Sequence, residues 1–455
     1  MSKHLPTLPI KENQAQFESL ASQTIDYAKS LGATDAVAEV SEGQGLSVNV
    51  RKGKLETVEQ TRDRSLSVTV FAGQRRGSAS TSDFSQTALK QTVEAAWHIA
   101  RFTAEDPAAG LPEEAELYKG PEGNLSLHHP WLIGVEAATK LAIAAEQAAR
   151  DVDRRITNTE GASVDTHEGQ FTMANSRGFL NGFAYTRHGL SVSPIAGRGN
   201  GMQRDYWYTS DRDAKRLAKP EAVGRYAAER ALARLHARRL STRQAPVLFE
   251  APLALGLLGA LTQAVSGGAL YRKSTFLLDS LGKPIFPDHI QVHEDPFIPG
   301  AMGSSMFDDE GVRTHARDVV KDGVLQGYFL STYTAKKLGM RTTGNAGGSH
   351  NLKLTSSQTQ SRDNFKAMLK KLGTGLLVTE LIGQGVNYIT GDYSRGAFGF
   401  WVEGGKIQYP VQEITIAGNL KDMFQQIVAV GHDDLTRGSK TSGSILIERM
   451  SIAGT

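Results

Sequence analysis

Two His-Glu pairs come nearest to metallohydrolase chemistry in this chain of 455 residues. A zinc hydrolase sets two neutral imidazoles and an adjacent glutamate on one helix, because the metal needs nitrogen ligands and its water needs a base. Here His167-Glu168 continues into Gly169, Gln170, Phe171 and Thr172, a β-rich stretch, while His293-Glu294 runs into Asp295 and Pro296, which disfavours a helix. Neither pair has a second histidine at ligand spacing, so both are expected to be ordinary exposed loop pairs. Asp308-Asp309-Glu310 could attract calcium, yet it lacks the alternating ligands of an EF-hand and leads into Gly311, so turn-forming acids are expected.

Other chemistries find no support. Gly383-Gln384-Gly385 is followed by Val386, Asn387 and Tyr388, without the third glycine of a dinucleotide cradle. There is no P-loop and no G-x-S-x-G elbow. The chain has no cysteine, which removes disulfides, thiolate nucleophiles and sulfur-ligated metals. Arg272, Lys273 and Arg395 could bind a peptide carboxylate, with solvated surface charge the ordinary role for each. The residues alone stop at an α+β protein without a recognisable catalytic motif.

The formal charge is +3, from 51 basic and 48 acidic side chains. The densest basic cluster, Arg230, Arg234, Arg238 and Arg239, falls at the end of an expected helix, where cations complement the macrodipole. No nucleic-acid footprint is expected from it. Residues 1–10 hold two prolines and no signal-peptide core, and the most apolar stretch, 253–265, includes Gly256, Gly259 and Gln263. A membrane span needs about 20 apolar residues. The expectation is a cytoplasmic protein with no membrane partner.

The elements that must carry any site follow from periodicity. Residues 14–31 read as a helix stopped by Gly32, then short β runs at 35–41, 46–50, 55–60 and 66–71, with turns at Lys52-Gly53-Lys54 and Gly73-Gln74. An antiparallel meander is the natural arrangement. A helix over 84–101 follows, capped by Ser82 or Asp83, with His98 packed or at the surface. After a proline-rich, acidic connector (103–130) the plan recurs, with a helix over 131–150, β runs from 156 to 208 and a helix over 221–239. Beyond 241–246 the chain is glycine-punctuated and strand-rich, with brief helices at 253–265, 331–338 and 363–372. The expected fold class is α+β in two lobes: an N-terminal one of helices with antiparallel meander sheets, and a C-terminal antiparallel, barrel-like β-rich domain. The domain ranges are 1–110, 125–240 and 241–455.

A resemblance covers most of the chain from about residue 30. Its motifs are RKGKLE at 51–56, MFDDEGV at 306–312, DGVLQGY at 322–328, TGNA at 343–346, GDYSRG at 391–396, FWVEGG at 400–405 and IAGNL at 416–420. In this order and spacing they resemble the TldD/PmbA family, also described as modulators of DNA gyrase. The resemblance implies a two-subunit peptidase in which the TldD-type chain carries H-E-x-x-x-H on a helix and a late cysteine, together holding zinc. The corresponding helix here reads LLGALTQAVSGG at 257–268, without histidine or glutamate, and 440–446 has no cysteine. By resemblance this is the PmbA/TldE-type subunit, without catalytic or metal residues of its own. Zinc would lie in a TldD-type partner, the substrate would be an unfolded peptide, and a homodimer would form in isolation. Arg272, Lys273, Asn345, His350 and Arg395 are the candidates to line a peptide channel, and Phe398, Phe400, Trp401 and Tyr409 to form an interface. The alternatives are an independent metallopeptidase with an atypical site, or a non-proteolytic regulatory protein acting in a gyrase or toxin–antitoxin pathway.

Overall fold

The computed structural model describes residues 13–120 and 123–454, so the reading of residues 1–10 lies outside the described residues. The chain divides into two compact units. The first runs to Ala233 and takes in Pro299–Ala301 and Met306–Arg313; the second holds the rest.

In the first unit, helix α1 (Gln14–Ser30) buries Phe17, Leu20, Ala21, Ile25 and Ala28, the apolar stripe of its sequence. The four expected β runs fuse into two long strands, β1 (Asp35–Arg51) and β2 (Lys54–Ala72). Gly43 and Gly45 do not interrupt β1, because a second strand pairs across them. Lys52 and Gly53 make the two-residue hairpin turn, both left-handed at φ 53° and 72°, the geometry that matches strand twist. Their amides donate to the two carboxylate oxygens of Glu146 at 2.8 and 2.6 Å, which offsets the cost of a lysine in that conformation. Next come β3 (Arg75–Thr81) and α2 (Gln86–Phe102). The cap of α2 is Ser85, which accepts from Ala88 N, whereas Asp83 accepts from Ser85 N. His98 is exposed and lies against Phe102.

The second half repeats this plan with α3 (Val135–Arg150), β4 (Ile156–Asn175), β5 (Leu180–Ala196), β6 (Gln203–Arg204), β7 (Trp207–Asp211) and α4 (Pro220–Ala233). The strand order is β3-β2-β1-β4-β5-β6, with β7 also on β5, and every pairing is antiparallel. One face of β1, with Ala36, Ala38, Val40, Val48 and Val50, is buried under helices. The opposite face carries Glu39, Ser41, Gly43, Gly45 and Ser47, the alternation expected of a half-covered sheet. Phe307, from the late segment, packs with Tyr118, Phe171, Phe179 and Phe183 at one end of that open face.

Helix α4 ends at Ala233, six residues short of the expected bound. His236 turns left-handed, and the Arg238 amide bonds to Pro410 O, so strand pairing takes over the backbone. The arginine cluster is therefore dispersed among separate partners. Arg230 pairs with Asp205, Arg234 with Glu380 over the Phe398 ring, and Arg239 with Glu413, while Arg238 lies over Tyr409.

The second unit opens with β8 (Arg243–Phe249), α5 (Ala251–Ala264), α6 (Gly267–Tyr271), β9 (Ile290–Asp295), β10 (Arg317–Lys321) and β11 (Val324–Leu325). Then follow α7 (Thr332–Leu338), β12 (Asn351–Ser356), α8 (Phe365–Leu372), β13 (Gly375–Ile382), β14 (Asp392–Glu403) and β15 (Lys406–Asn419). Last are α9 (Leu420–Gln425), β16 (Ile427–Val430), β17 (Leu435–Arg437), β18 (Lys440–Ser442) and β19 (Ile445–Ala453). Strands β15-β14-β13-β8-β19 close into a barrel through the β15–β19 pairing, with β16 appended to β19. A second sheet runs β11-β10-β9-β12-β18-β17. The pairs β8–β13 and β12–β18 are parallel and the other pairings antiparallel.

Barrel strands bury both faces. Val247, Phe249, Leu376, Val378 and Ile445 belong to the main core, while Leu248, Leu377 and Leu446, between them in sequence, pack with Met368 and Leu372 of α8. This corrects the interface reading of the aromatics. Phe398 and Phe400 lie in the α8 cluster and Trp401 in the main core, all buried, with Tyr409 packed against that core.

In α4, Gly224 faces α3 so closely that an added Cβ would lie 2.1 Å from Ala145 O. Helix propensity alone would make Gly224→Ala stabilising by about 1 kcal/mol, but the clash should prevail, for a net loss of about 1–2 kcal/mol. Urea unfolding of the variant checks the sign, and a gain in stability would refute this packing.

Candidate functional site

Strand geometry decides what the His-Glu pairs can do. Neighbouring residues on a strand point to opposite faces, so neither pair converges on one ion. Both lie on strands, not on the expected loops. On β4, His167 faces the open side, while Glu168 is buried and accepts from Gln44 Nε2 at 2.7 Å, with His128 Nε2 at 2.6 Å. On β9, His293 is exposed beside Asp318, and Glu294 is 1% exposed. Asp308 closes a turn by accepting from the Glu310 and Val312 amides. Among the described residues no three His, Asp or Glu side chains gather as metal ligands.

Glu294 is the hub of a buried network. It accepts from Arg317 Nε at 2.8 Å, Asn345 Nδ2 at 2.9 Å and the His350 amide at 2.7 Å. Arg317 also donates to Asn345 Oδ1 at 3.0 Å and lies over the Phe329 ring. The His350 ring nitrogens sit against Gly303 O and Gly344 O. Asn345 and His350 are thus both buried, and they pin the 343–350 loop to β9.

The three cationic candidates sit elsewhere. Arg272 and Lys273 are exposed just after α6, with Arg272 spread over its neighbour Tyr271. Arg395 is half-buried on β14, and its Nε is shielded from solvent without an acceptor. Beside it Tyr393 is 5% exposed, and burial pushes its hydroxyl up to about 12 against the opposing pull of Arg395. Helix α5 sinks Ala254, Leu257, Leu258, Leu261 and Ala264 into the core and leaves Gly256 and Gln263 exposed.

No motif marks a hollow of about 440 Å³ on the open face of the N-terminal sheet, lined by polar residue types among apolar surface. Two glycines keep it open: Gly45 on β1, between Thr61 and His167, and Gly189 on β5, between Asp165 and Ser210. An added Cβ at Gly189 would meet only Thr209 O, at 3.5 Å. Asp165 accepts from Ser47 at 2.7 Å and Ser163 at 3.0 Å, and Arg187 Nε reaches Ser210 at 3.4 Å. Burial and the nearby Arg187 push His167 below the ordinary imidazole range. The sequence signal was available, since Gly43, Gly45, Gly169 and Gly189 share one parity with polar neighbours, but isolated glycines read as breaks.

Two predictions follow from these placements. Glu294→Ala strands the Arg317 charge and the Asn345 amide, so a loss of about 3 kcal/mol is expected. His293→Ala, one residue away and exposed, should stay within about 0.5 kcal/mol; equal losses in denaturant melts would refute the network. Burial likewise pushes His188 below its ordinary value of 6.5. Its Nε2 faces the His129 carbonyl and its Nδ1 the Thr166 hydroxyl, which suits the neutral ring. Because the fold disfavours protonation, this stabilisation is complete above that ordinary value and lost as pH falls through the lower folded one. An NMR titration midpoint for His188 at or above the ordinary value would contradict it.

Comparison with known proteins fits this architecture. Residues 36–100 match domain 1 of the PmbA/TldA metallopeptidases, 128–235 the central domain and 242–454 the C-terminal domain. Metalloprotease PmbA of Escherichia coli O157:H7 is 49% identical over 439 residues, 96% of each chain. A PmbA homolog of Haemophilus influenzae is 44% identical over 448 residues, 98% of each. Among solved structures, a protein of Bacteroides thetaiotaomicron described as a modulator of DNA gyrase superposes with TM-score 0.91 at 28% identity, covering 97% of this chain and all of that one (100%). TldE of Thermococcus kodakarensis shares the fold, with TM-score 0.83 at 20% identity over 96% of this chain and 100% of its own. The chain belongs to the PmbA/TldD metallopeptidase family.

Proposed function

We propose that this chain is the zinc-free, PmbA/TldE-type subunit of a cytoplasmic two-chain metallopeptidase that degrades or processes unfolded peptides. A TldD-type partner supplies the zinc and the water it activates. The observation that carries this reading is the make-up of α5. Where the zinc-bearing chain of the family needs histidines and a glutamate, this helix has leucine, alanine, glycine and glutamine, and the chain has no cysteine. A subunit without ligands acts through its surfaces, by completing the peptide chamber and helping to hold the substrate. The E. coli relative is itself named a metalloprotease, which favours a second reading, in which this chain is a peptidase by itself through an atypical site.

One experiment separates the two. The chain is purified alone and together with a TldD-type chain, and each preparation is assayed for zinc by elemental analysis and for cleavage of an unfolded polypeptide. The expected result is stable co-purification, with cleavage and zinc appearing only when the partner is present. One zinc per chain and cleavage by this chain alone would establish the second reading instead. Sedimentation of the isolated chain should show a homodimer that the partner displaces.

A further inference from the structure

The make-up of the hollow on the open face of the N-terminal sheet narrows what it can hold. It crosses β2, β1, β4, β5 and β7, from Glu59 and Thr61 at one side to Tyr208 and Ser210 at the other. Its exposed charges are the Glu59 and Asp165 carboxylates and the Arg187 guanidinium. Arg187 is the permanent cation of the hollow, and partial desolvation with that neighbouring guanidinium disfavours a charge on His167. One cation against two carboxylates repels a polyanion such as a nucleotide phosphate. The hydroxyls of Ser47, Thr61, Ser191 and Ser210 offer hydrogen bonds along an otherwise mainly apolar lining, which a ligand with polar groups on an apolar frame can meet. A zwitterion with hydrogen-bonding groups meets both the opposite charges and the hydroxyls.

Spacing sets its length. Glu59 and Arg187 stand three strands apart, on β2 and β5, roughly 14 Å at about 4.8 Å per strand. An extended peptide covers that span in about four residues at roughly 3.3 Å each. The volume lies within the range of about 300–1,000 Å³ usual for small-ligand sites. We propose that this hollow binds a short peptide with free ends, its α-amino group toward Glu59 and its carboxylate on Arg187. The choice of a peptide over other zwitterions rests on the peptidase-subunit reading. Such a site would retain cleaved fragments on the subunit that does not cut them.

Tetraalanine is the probe, with its acetylated and amidated form as the uncharged control. Binding to the full purified chain is measured by calorimetry and by NMR at pH 7. Tetraalanine is expected to bind, and capping its ends to weaken it by about tenfold or more, the weight of one charge-assisted hydrogen bond. Arg187→Gln should weaken the free peptide about tenfold without changing the capped one. Gly189→Val fills the floor from a position with room for a Cβ and should abolish binding, with an unchanged melting temperature as its control. Equal binding of free and capped peptide, tighter binding of inorganic phosphate or maltotriose, or no effect of Arg187→Gln would each overturn the assignment. These measurements use this chain alone, so they can fail while the two-chain peptidase stands. Equally, the partner can fail to bind while tetraalanine still occupies the hollow.

Discussion

The N-terminal unit depends on one antiparallel pairing, that of β1 with β4, in register from Val37 opposite Asn175 to Val50 opposite Ala162. It joins the two halves of the repeated plan into one sheet. It also carries β1 through Gly43 and Gly45, where the entropic cost of glycine would weaken an isolated strand. A slip of one residue would turn Val40, Val48 and Val50 to the open face, and Glu146 would lose the hairpin turn it clasps. The same register puts glycine beside glycine, Gly43 opposite Gly169. An added Cβ at Gly169 would meet the Tyr185 ring at 2.5 Å and one at Gly43 would meet His167 at 3.2 Å. The pairing that stabilises the sheet thus also shapes its polar face.

The sequence made the helices legible because their apolar stripes are continuous, as in α1 and α2, and because serine, aspartate and glycine mark turns. It was less informative where tertiary contacts outweigh local preference. The four short β runs became two long strands because cross-strand partners extend them through polar and glycine positions, which local periodicity cannot register. The end of α4 was overestimated for the converse reason. Residues 234–239 have helical composition, but the Arg238 amide finds a better acceptor in Pro410. The dispersed arginines show the same limit, since each is claimed by its own acid or aromatic ring.

The site was legible in its chemistry and illegible in its placement. Motif residues such as Asn345 invite a functional reading, yet its amide, the Arg317 guanidinium and the His350 backbone all converge on Glu294. Desolvating a carboxylate costs several kcal/mol unless its lone pairs are met, and this loop meets them. The motif around Asn345 therefore records a structural requirement, the closing of a glycine-rich loop over a buried charge. The hollow shows the opposite case, a shaped polar surface with no motif, because its determinants are absences of side chains at one parity of two strands.

Helix α5 shows the same preference of packing over polarity. A helix that must present metal ligands has to keep a polar face near water or substrate. Here every residue from Leu257 to Ala264 except Gly259, Thr262 and Gln263 is buried, so the helix has been given over to the core that supports the barrel. The open face of the N-terminal sheet differs, presenting the charges of Glu59, Asp165 and Arg187 and several hydroxyls. The apolar packing of α5 and the hollow of the N-terminal sheet thus follow from opposite choices of side chain, bulk in one and its absence in the other.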